Sequence, residues 1–392
     1  MPEVPPKPAE PRLSFTCAER PSRAAEPARR SEGDGVGTLE GLRLRMEAIL
    51  SRTRSDPPKP PPRVDVDLPF FVERTEAGPL HVRVVRHGGE HRIGRIPIAP
   101  ARRASRELLA LLALDPELAR CDPAGALYLD TETTGLGPGA GTVAFLIGLA
   151  WFDLGDGLRP PALVVEQLLV RQLGEEGPVL ARVAERIRAA SMLVTFNGKS
   201  FDLPVLRTRF VMQRMEAPPE PPHLDLVHVA RRLHKTRGVG AKLGTVEREV
   251  LGFVREDDVP SGEVSQHYLH FLRTADARGL LGVVEHNAWD VVSMAALVGL
   301  YGEPLDGSSL DARDLVGVAR TLKRAGQKEL AQSVADEAIA RGAVHDGTRA
   351  RAEIAKARGD KARALADFEA LAEDIDDPSV RLELAKLYEH HK

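Results

Sequence analysis

The sequence predicts an α/β fold: a mixed β-sheet flanked by helices, with a small all-α helical-repeat segment after it and a disordered tail before it. Two patterns lead to this prediction. Between residues 126 and 301, short apolar runs alternate with segments of helical periodicity, which is typical of a sheet covered on both faces. Beyond residue 310, alanine-rich stretches repeat at a fixed step, which favours stacked helices.

Composition bounds the class of protein. The chain has 392 residues, 43% of them hydrophobic, which is enough for two or three folded domains. A formal net charge of −3 excludes a globally basic coat, so any nucleic-acid surface must be local. Cys17 and Cys121 are isolated, which excludes a cysteine-type zinc site and a disulfide scaffold. Because the sequence has no run of roughly 18 apolar residues and no secretory signal pattern, we expect a cytoplasmic protein without a membrane partner.

The first segment, residues 1–66, is rich in Pro, Glu, Arg and Ser and is predicted to be largely disordered. Its prolines at 57–62 indicate an extended spacer. Apolar residues at three- and four-residue steps predict one amphipathic helix over residues 38–54. We favour docking of this helix on the main domain over binding to a partner protein.

The second segment, residues 67–303, contains the predicted sheet. Alternation between Phe70 and Ile98 predicts a small hairpin that covers an edge of the sheet. The remaining strands are predicted at 126–129, 142–152, 163–170, 192–196 and 223–226, and helices at 177–190, 201–215 and onward to residue 301.

The third segment, residues 310–392, repeats with a period of 33 residues, seen in the alanines at 319, 352 and 385. This step, with a glycine between alanine-rich helices, resembles tetratricopeptide repeats of about 34 residues. Repeats of this kind suggest a protein partner.

Acidic residues stand where the predicted strands end. Asp130 and Glu132 close the first strand, and residues two apart on a strand point to the same side. Asp202 opens a helix after a buried strand. His286 and Asp290, four apart on a later helix, share a helix face.

Carboxylates gathered at one point repel one another unless a cation neutralises them. Hard oxygen ligands select Mg²⁺ or Mn²⁺, and two such ions clamp the oxygens of an in-line phosphoryl displacement. The pattern therefore predicts phosphodiester hydrolysis with two Mg²⁺ or Mn²⁺ ions. A neutral imidazole at His286 could take a proton from the attacking water.

The order DxExTG, NxxxFD and HxxxD resembles the Exo I, Exo II and Exo III motifs of the DEDD exonuclease superfamily, which has a ribonuclease H-like fold. Asp130 and Glu132 match the first motif, Asp202 the second and Asp290 the third. The stretches 194–204, 223–226, 243–252 and 286–293 are most similar to the YprB-like branch of this superfamily. The resemblance covers roughly residues 67 to 301.

This resemblance implies a 3′→5′ exonuclease acting on single-stranded DNA or RNA. Its metal ligands would be Asp130, Glu132, Asp202 and Asp290, and its catalytic residues Glu132 and His286. The third motif of the superfamily is YxxxD or HxAxxD, whereas this chain has a His at the Tyr spacing. His286 is therefore either the general base or a residue that only orients water or phosphate.

Further residues are candidates for binding the substrate. By the resemblance, the backbone of Thr133, Thr134 and Gly135 approaches the terminal nucleotide; the alternative is an ordinary glycine turn. Asn197 would bond the sugar or its own turn, and Lys199 would contact phosphate or water. Asp225 is predicted to cap the next helix rather than to support the site. The basic run at 231–237 either contacts phosphates or forms a solvated face.

Two other functions fit the same sequence. The site could be vestigial, leaving a nucleic-acid-binding scaffold whose repeats recruit a protein. The same fold could also carry a structure-specific endonuclease.

Overall fold

The computed structural model describes residues 67–135, 137, 139–156 and 159–389. The predicted tail, residues 1–66, and its helix over 38–54 lie outside the described residues.

The described chain contains a mixed seven-stranded sheet with the order β1-β2-β7-β6-β5-β8-β9. The pairs β1–β2, β2–β7, β7–β6 and β6–β5 are antiparallel. The pairs β5–β8 and β8–β9 are parallel. A separate two-stranded ribbon is formed by β3 and β4. The bounds are β1 Phe71–Thr75, β2 Gly78–Gly88, β3 Arg92–Ile93, β4 Ile96–Pro97, β5 Ala126–Thr133, β6 Ala144–Asp153, β7 Ala162–Leu169, β8 Met192–Thr195 and β9 His223–Asp225.

The fold class predicted from the sequence is confirmed, because this sheet is flanked by helices and followed by a helical segment. The helices are α1 Arg106–Ala113, α2 Gly177–Ala189, α3 Asp202–Met212, α4 Leu226–Leu233, α5 Leu243–Val246, α6 Val264–Thr274, α7 Arg278–Tyr301, α8 Ala312–Arg324, α9 Lys328–Ala340, α10 Val344–Arg358, α11 Lys361–Asp374 and α12 Pro378–Glu389. A π-helical turn, Glu247–Leu251, follows α5 directly.

The predicted hairpin is β1 and β2, and it covers the sheet edge by becoming part of the sheet. Residues 81–88 of β2 pair with the whole of β7, from His81 opposite Leu169 to Gly88 opposite Ala162. This pairing places the side chain of Arg83, on β2, next to Gln167 on β7.

Two hydrophobic cores lie on the two faces of the sheet, and alternation along β5 divides its side chains between them. Ala126 and Tyr128 belong to one core, and Leu127 and Leu129 to the other. The strand then continues into acidic residues. Residues 130 and 132 therefore follow the face of Tyr128, and Thr131 follows the face of Leu129.

Helix α7 brings the third motif to the end of β5. Its first turns, with Leu280 and Val283, pack in the core of Leu129. Its later turns, from Ala288 to Tyr301, pack in the core of Tyr128. The segment from residue 286 to residue 290 lies between these two parts.

The C-terminal helices α8 to α12 pack consecutively, and α8 also packs on α4 and α1. Gly317 of α8 sits against the backbone of Leu233, where an added Cβ would overlap the Leu233 carbonyl. The helical segment therefore contacts the sheet-containing part of the chain closely. Within the described residues, no helix has the length and apolar character that crossing a membrane requires.

Candidate active site

Four carboxylates from three elements come together at the carboxyl end of β5. Asp130 and Glu132 lie on β5, Asp202 is the first residue of α3, and Asp290 lies in the middle of α7. Asp202 and Asp290 are both buried. The charges of Glu132, Asp202 and Asp290 all act on Asp130, so the four carboxylates that the sequence singles out are close enough to interact electrostatically.

Burial and mutual repulsion raise the pKa values of this group. Burial, and then the charges of Asp290, Asp202 and Glu132, raise the pKa of Asp130 well above its ordinary value. Burial and then the charge of Asp290 raise the pKa of Glu132 to about 7, against the opposing influence of His286. Burial raises the pKa of Asp202 to about 6, although a hydrogen bond from Thr131 acts in the opposite direction.

Asp130 is held by a buried amide on α7. Nδ2 of Asn287 donates to Oδ2 of Asp130 at 2.8 Å, and Oδ1 of Asn287 accepts from Nε2 of Gln167 at 2.9 Å. Asn287 reaches this position because Gly148, opposite Asp130 in the sheet, has no side chain. A Cβ at Gly148 would lie 2.5 Å from Oδ1 of Asn287.

The same hydrogen-bond chain continues to the hairpin. Nε2 of Gln167 also donates to the Val284 carbonyl at 2.7 Å, and its Oε1 accepts from Nη1 of Arg83 at 2.7 Å. Nη2 of Arg83 pairs with Glu285 at 2.6 Å. Strands β2 and β7 and helix α7 are therefore joined behind Asp130.

Asp202 is oriented from the opposite face of β5. The hydroxyl of Thr131 donates to Oδ1 of Asp202 at 2.6 Å, and both side chains are buried. Thr131 lies between Asp130 and Glu132 in sequence and faces the other side of β5. The strand therefore carries two of the acids on one face and holds Asp202 through a hydrogen bond from its other face.

His286 lies between the carboxylates and a loop aspartate. Its Nδ1 is 2.6 Å from Oδ1 of Asp258. Its Nε2 is 3.8 Å from Oε1 of Glu132 and 3.6 Å from Oδ2 of Asp290. Burial lowers the pKa of His286, but the charges of Asp290 and Glu132 and the hydrogen bond with Asp258 together raise it above its ordinary value.

A buried arginine adds a positive charge to the site. Arg255 pairs with Glu247 through two hydrogen bonds of 2.8 and 2.7 Å, and its Nη2 also pairs with Oδ1 of Asp290. Its guanidinium lies 5.6 Å from the ring centroid of Trp289. Trp289 is half-buried and contacts Phe253 edge-on. Its ring therefore packs between an aromatic side chain and the Arg255 guanidinium.

The turn after Glu132 is held by its own side chains. The Thr133 hydroxyl donates to the Gly135 carbonyl at 2.7 Å, and the Thr134 hydroxyl accepts from the Val143 amide at 3.0 Å. The β5–β6 register also shifts between Glu132 and Thr133. These contacts form a turn beside the acidic residues. The role of Thr133, Thr134 and Gly135 in binding a nucleotide stays a prediction.

Asp225 caps α4, as predicted, and it also holds the turn that precedes Asp202. Its Oδ1 accepts from the amide of Val227 at 3.3 Å, and its two oxygens accept from the amides of Asn197 and Lys199 at 2.7 and 3.0 Å. Asn197 has a left-handed φ of 72°. The side chain of Lys199 is exposed.

The basic run at 231–237 divides between two surfaces. Arg231 is exposed and lines a cavity of about 670 Å³ that is also lined by His286 and Asp290. His234 and Arg237 instead face Asp314 of α8, at 2.9 Å each. Part of the run is therefore available to a substrate, and part of it joins α4 to the helical segment.

The cavity beside the carboxylates is lined by both cationic and apolar groups. Lys242 and Arg248 contribute charge, and Phe196 and Phe253 contribute aromatic surface. A groove of this composition suits the phosphates and bases of a nucleic acid strand.

The donor set fits a divalent cation. Ligand atoms of Glu132, His286 and Asp290 lie within 4.8 Å of one another. Carboxylates that bind a metal ion are expected to have raised pKa values when the ion is absent, because a bound cation favours their ionised form.

Sequence reasoning did not identify Asn287, Gln167, Arg255 or Asp258. Gln167 carried a signal, because a polar residue in the apolar run of β7 needs a buried partner. Arg255 and Asp258 lie in a charged loop, where no periodicity marks them.

Residues 127–301 match the family profile of the RNase_H superfamily. The chain is also similar to an uncharacterized protein of Bacillus subtilis (strain 168) named YprB, with 40% identity over 172 residues. This similarity spans 43% of the chain and 40% of the length of that protein. Residues 127–301, which match the profile, include all four carboxylates.

Proposed function

We propose that the RNase H-superfamily domain at residues 127–301 hydrolyses phosphodiester bonds with the help of divalent cations, and that it removes nucleotides from the 3′ end of a single-stranded nucleic acid. The observation that carries this proposal is the convergence of Asp130, Glu132, Asp202 and Asp290, with pKa values of the first three raised by burial and by one another. Repulsion among buried carboxylates destabilises the folded protein, and bound cations would relieve it.

The four carboxylates are proposed as metal ligands, for two Mg²⁺ or Mn²⁺ ions. Once bound, the cations would neutralise the acids and position the phosphate and the attacking water. Asn287 and Thr131 each hold one aspartate in place by a hydrogen bond. Pre-oriented ligands of this kind bind metal without a further loss of side-chain freedom.

Glu132 is proposed to hold the attacking water. Two roles compete for His286, that of the general base and that of a residue that only orients water or phosphate. Thr133, Thr134, Gly135, Asn197 and Lys199 are proposed to contact the terminal nucleotide, through the two turns that flank the acids.

The substrate strand is proposed to occupy the cavity that is lined in part by His286 and Asp290. Arg231 and Lys242 would contact phosphates, and the low aromatic content of the chain, 4%, argues against a long stacking track. Residues 67–303 would form the nuclease unit. Residues 310–392 would act as tetratricopeptide-like repeats that recruit a protein.

The test is degradation of a labelled single strand of DNA or RNA in Mg²⁺ or Mn²⁺. We expect stepwise release of mononucleotides by the wild type and no release by Asp130→Ala. A substrate blocked at its 3′ end should resist, and one blocked at its 5′ end should be degraded.

Each other outcome has a defined meaning. Cleavage of the 3′-blocked strand at internal bonds would replace the exonuclease with an endonuclease. Equal inactivity of the wild type and Asp130→Ala, with no calorimetric difference in Mn²⁺ binding between the wild type and an Asp130→Ala, Asp202→Ala double variant, would indicate a binding scaffold.

A further inference from the structure

The imidazole of His286 is oriented by Asp258. At 2.6 Å, Nδ1 of His286 and Oδ1 of Asp258 must share a proton, because two lone pairs at this separation repel. Nη1 of Arg255 also faces Nδ1, at the longer distance of 3.2 Å. Because the contact with Asp258 is the shorter of the two, we assign the proton to Nδ1, which donates it to Asp258. The neutral ring in this tautomer directs the lone pair of Nε2 toward Glu132 and Asp290.

The distances around Nε2 fit ligands of one ion better than hydrogen bonds. Nε2 lies 3.8 Å from Oε1 of Glu132 and 3.6 Å from Oδ2 of Asp290, both beyond hydrogen-bond range. Two ligand atoms that are each about 2.1 Å from the same ion lie roughly 3–4 Å apart. The two measured distances fall within this interval.

Arg255 determines which oxygen of Asp290 faces the imidazole. Its Nη2 pairs with Oδ1 of Asp290, and its bidentate contact with buried Glu247 fixes the guanidinium. Oδ2 of Asp290 is thereby turned toward Nε2 of His286. Asp258 and Arg255, both in the loop after the π-helical turn, thus orient two members of one cluster.

We infer that His286 is a metal ligand through Nε2, in one site with Glu132 and Asp290, and that Asp258 is the positioning residue for its ring. The inference deepens the proposed function, on which it rests, by specifying the metal. An imidazole nitrogen among carboxylates favours first-row transition ions over Mg²⁺, which takes oxygen ligands. A ligating histidine that donates its other N–H to a carboxylate is a recurrent metal-site arrangement.

A ligand role for His286 also changes the assignment of the proton acceptor. The lone pair that binds a cation is not available to take a proton from water. Glu132 then remains the acidic residue that holds the attacking water.

The experiment titrates Mn²⁺ into the metal-free full chain and measures bound Mn²⁺ by electron paramagnetic resonance. Spin-echo modulation then reports whether a nitrogen nucleus is bonded to the ion. We expect nitrogen modulation in the wild type, its loss in His286→Gln, and a roughly 10- to 100-fold weaker Mn²⁺ affinity in Asp258→Ala. His345→Gln, an exposed histidine on α10, is the matched control and should behave as the wild type.

Bound Mn²⁺ without nitrogen modulation in the wild type would overturn the inference, as would unchanged modulation in His286→Gln. The two proposals fail in different ways. Nitrogen-coordinated Mn²⁺ without cleavage of any strand would remove the nuclease proposal alone. Cleavage by a protein whose Mn²⁺ has only oxygen ligands would remove the His286 assignment alone.

Discussion

The side chain of Asn287 donates a 2.8 Å hydrogen bond to Asp130, and it thereby joins helix α7 to the acidic end of β5. The two residues are 157 positions apart in the chain. Asn287 is fully buried and is also bonded to Gln167, so it has little freedom to move. Asp130 is therefore oriented by a residue whose position depends on the whole sheet.

Gly148→Ala should impair the site without changing any of its acids. The added Cβ would lie 2.5 Å from Oδ1 of Asn287 and would push this amide away from both partners. Leaving buried polar groups unpaired costs about 1–3 kcal/mol, and the loss of such a supporting contact lowers metal affinity by roughly 10- to 100-fold. Urea denaturation and Mn²⁺ calorimetry measure the two effects.

Gly177→Ala is the matched control, since nothing lies within 4 Å of a Cβ at the start of α2. It should leave stability and Mn²⁺ affinity unchanged. If Gly148→Ala binds Mn²⁺ as the wild type does, the support of Asp130 by Asn287 is not important for the metal.

The metal-free protein should lose stability as the pH rises from about 4.5 to about 7.5. The pKa of Glu132 is raised to about 7 and that of Asp202 to about 6 in the folded state. The folded state therefore binds more protons than the unfolded state in this interval, and the free energy of unfolding falls with pH. For Glu132 alone the loss amounts to about 3 kcal/mol.

Urea titrations at pH 5, 6, 7 and 8 check this dependence. The raised pKa of His286 acts in the same direction. A base whose pKa is raised by folding stabilises the folded state at low pH, and this stabilisation is lost as the pH rises. Saturating Mn²⁺ should flatten the profile. A metal-free profile that rises between pH 5 and 7 would contradict the repulsion among the buried carboxylates.

Asp130→Asn should stabilise the metal-free protein and remove its stabilisation by metal. The amide keeps an oxygen that can accept from Asn287 and carries no charge to repel Asp202, Glu132 and Asp290. We expect a gain of about 1–3 kcal/mol without metal at pH 8. Thermal melts with and without Mn²⁺ measure both effects, and a less stable metal-free variant would be evidence against the prediction.

The fold and the acids could be predicted because both follow from local patterns. Period-two alternation places Asp130 and Glu132 on one side of β5, and the apolar runs mark the strands that precede them. The residues that hold these acids follow no such pattern. Arg83 and Glu285, 202 positions apart, meet only because β2 pairs with β7. The loop that supplies Arg255 and Asp258 reaches the site through its tertiary path alone.

The basic run illustrates the same limit. Its sequence gives equal reason to expect phosphate contacts and a solvated face. In the structure, Arg231 lines the cavity, whereas His234 is buried against Tyr301 and Arg237 pairs with Asp314. Neighbouring residues of this run thus have different contacts, because α8 packs against only some of them.

Arg231→Ala and Lys242→Ala should each weaken binding of a single strand and reduce its salt dependence. Both side chains are exposed and line the cavity that is also lined by His286 and Asp290. Removing one phosphate contact lowers the slope of log K against log salt by about 0.7 for a single strand. Fluorescence anisotropy in Ca²⁺ at several salt concentrations gives the slope. Lys361→Ala, exposed on α11, is the control, and equal slopes in all proteins would exclude this cavity as the binding path.

Asp314→Ala should loosen the helical segment from the sheet-containing part of the chain. The carboxylate of Asp314 is fully buried, and its two oxygens lie 2.9 Å from Nδ1 of His234 and from Nη1 of Arg237. Breaking a buried ion pair by removal of one partner costs about 3–5 kcal/mol, because the remaining charge stays buried without compensation. Limited proteolysis should then cut between α7 and α8 and release residues 310 onward.

Arg313→Ala, which changes the exposed neighbour on α8, is the control and should have the same cleavage pattern and urea midpoint as the wild type. Equal resistance of Asp314→Ala and the wild type would mean that Gly317 and the apolar contacts of α8 with α4 suffice to hold the segment in place.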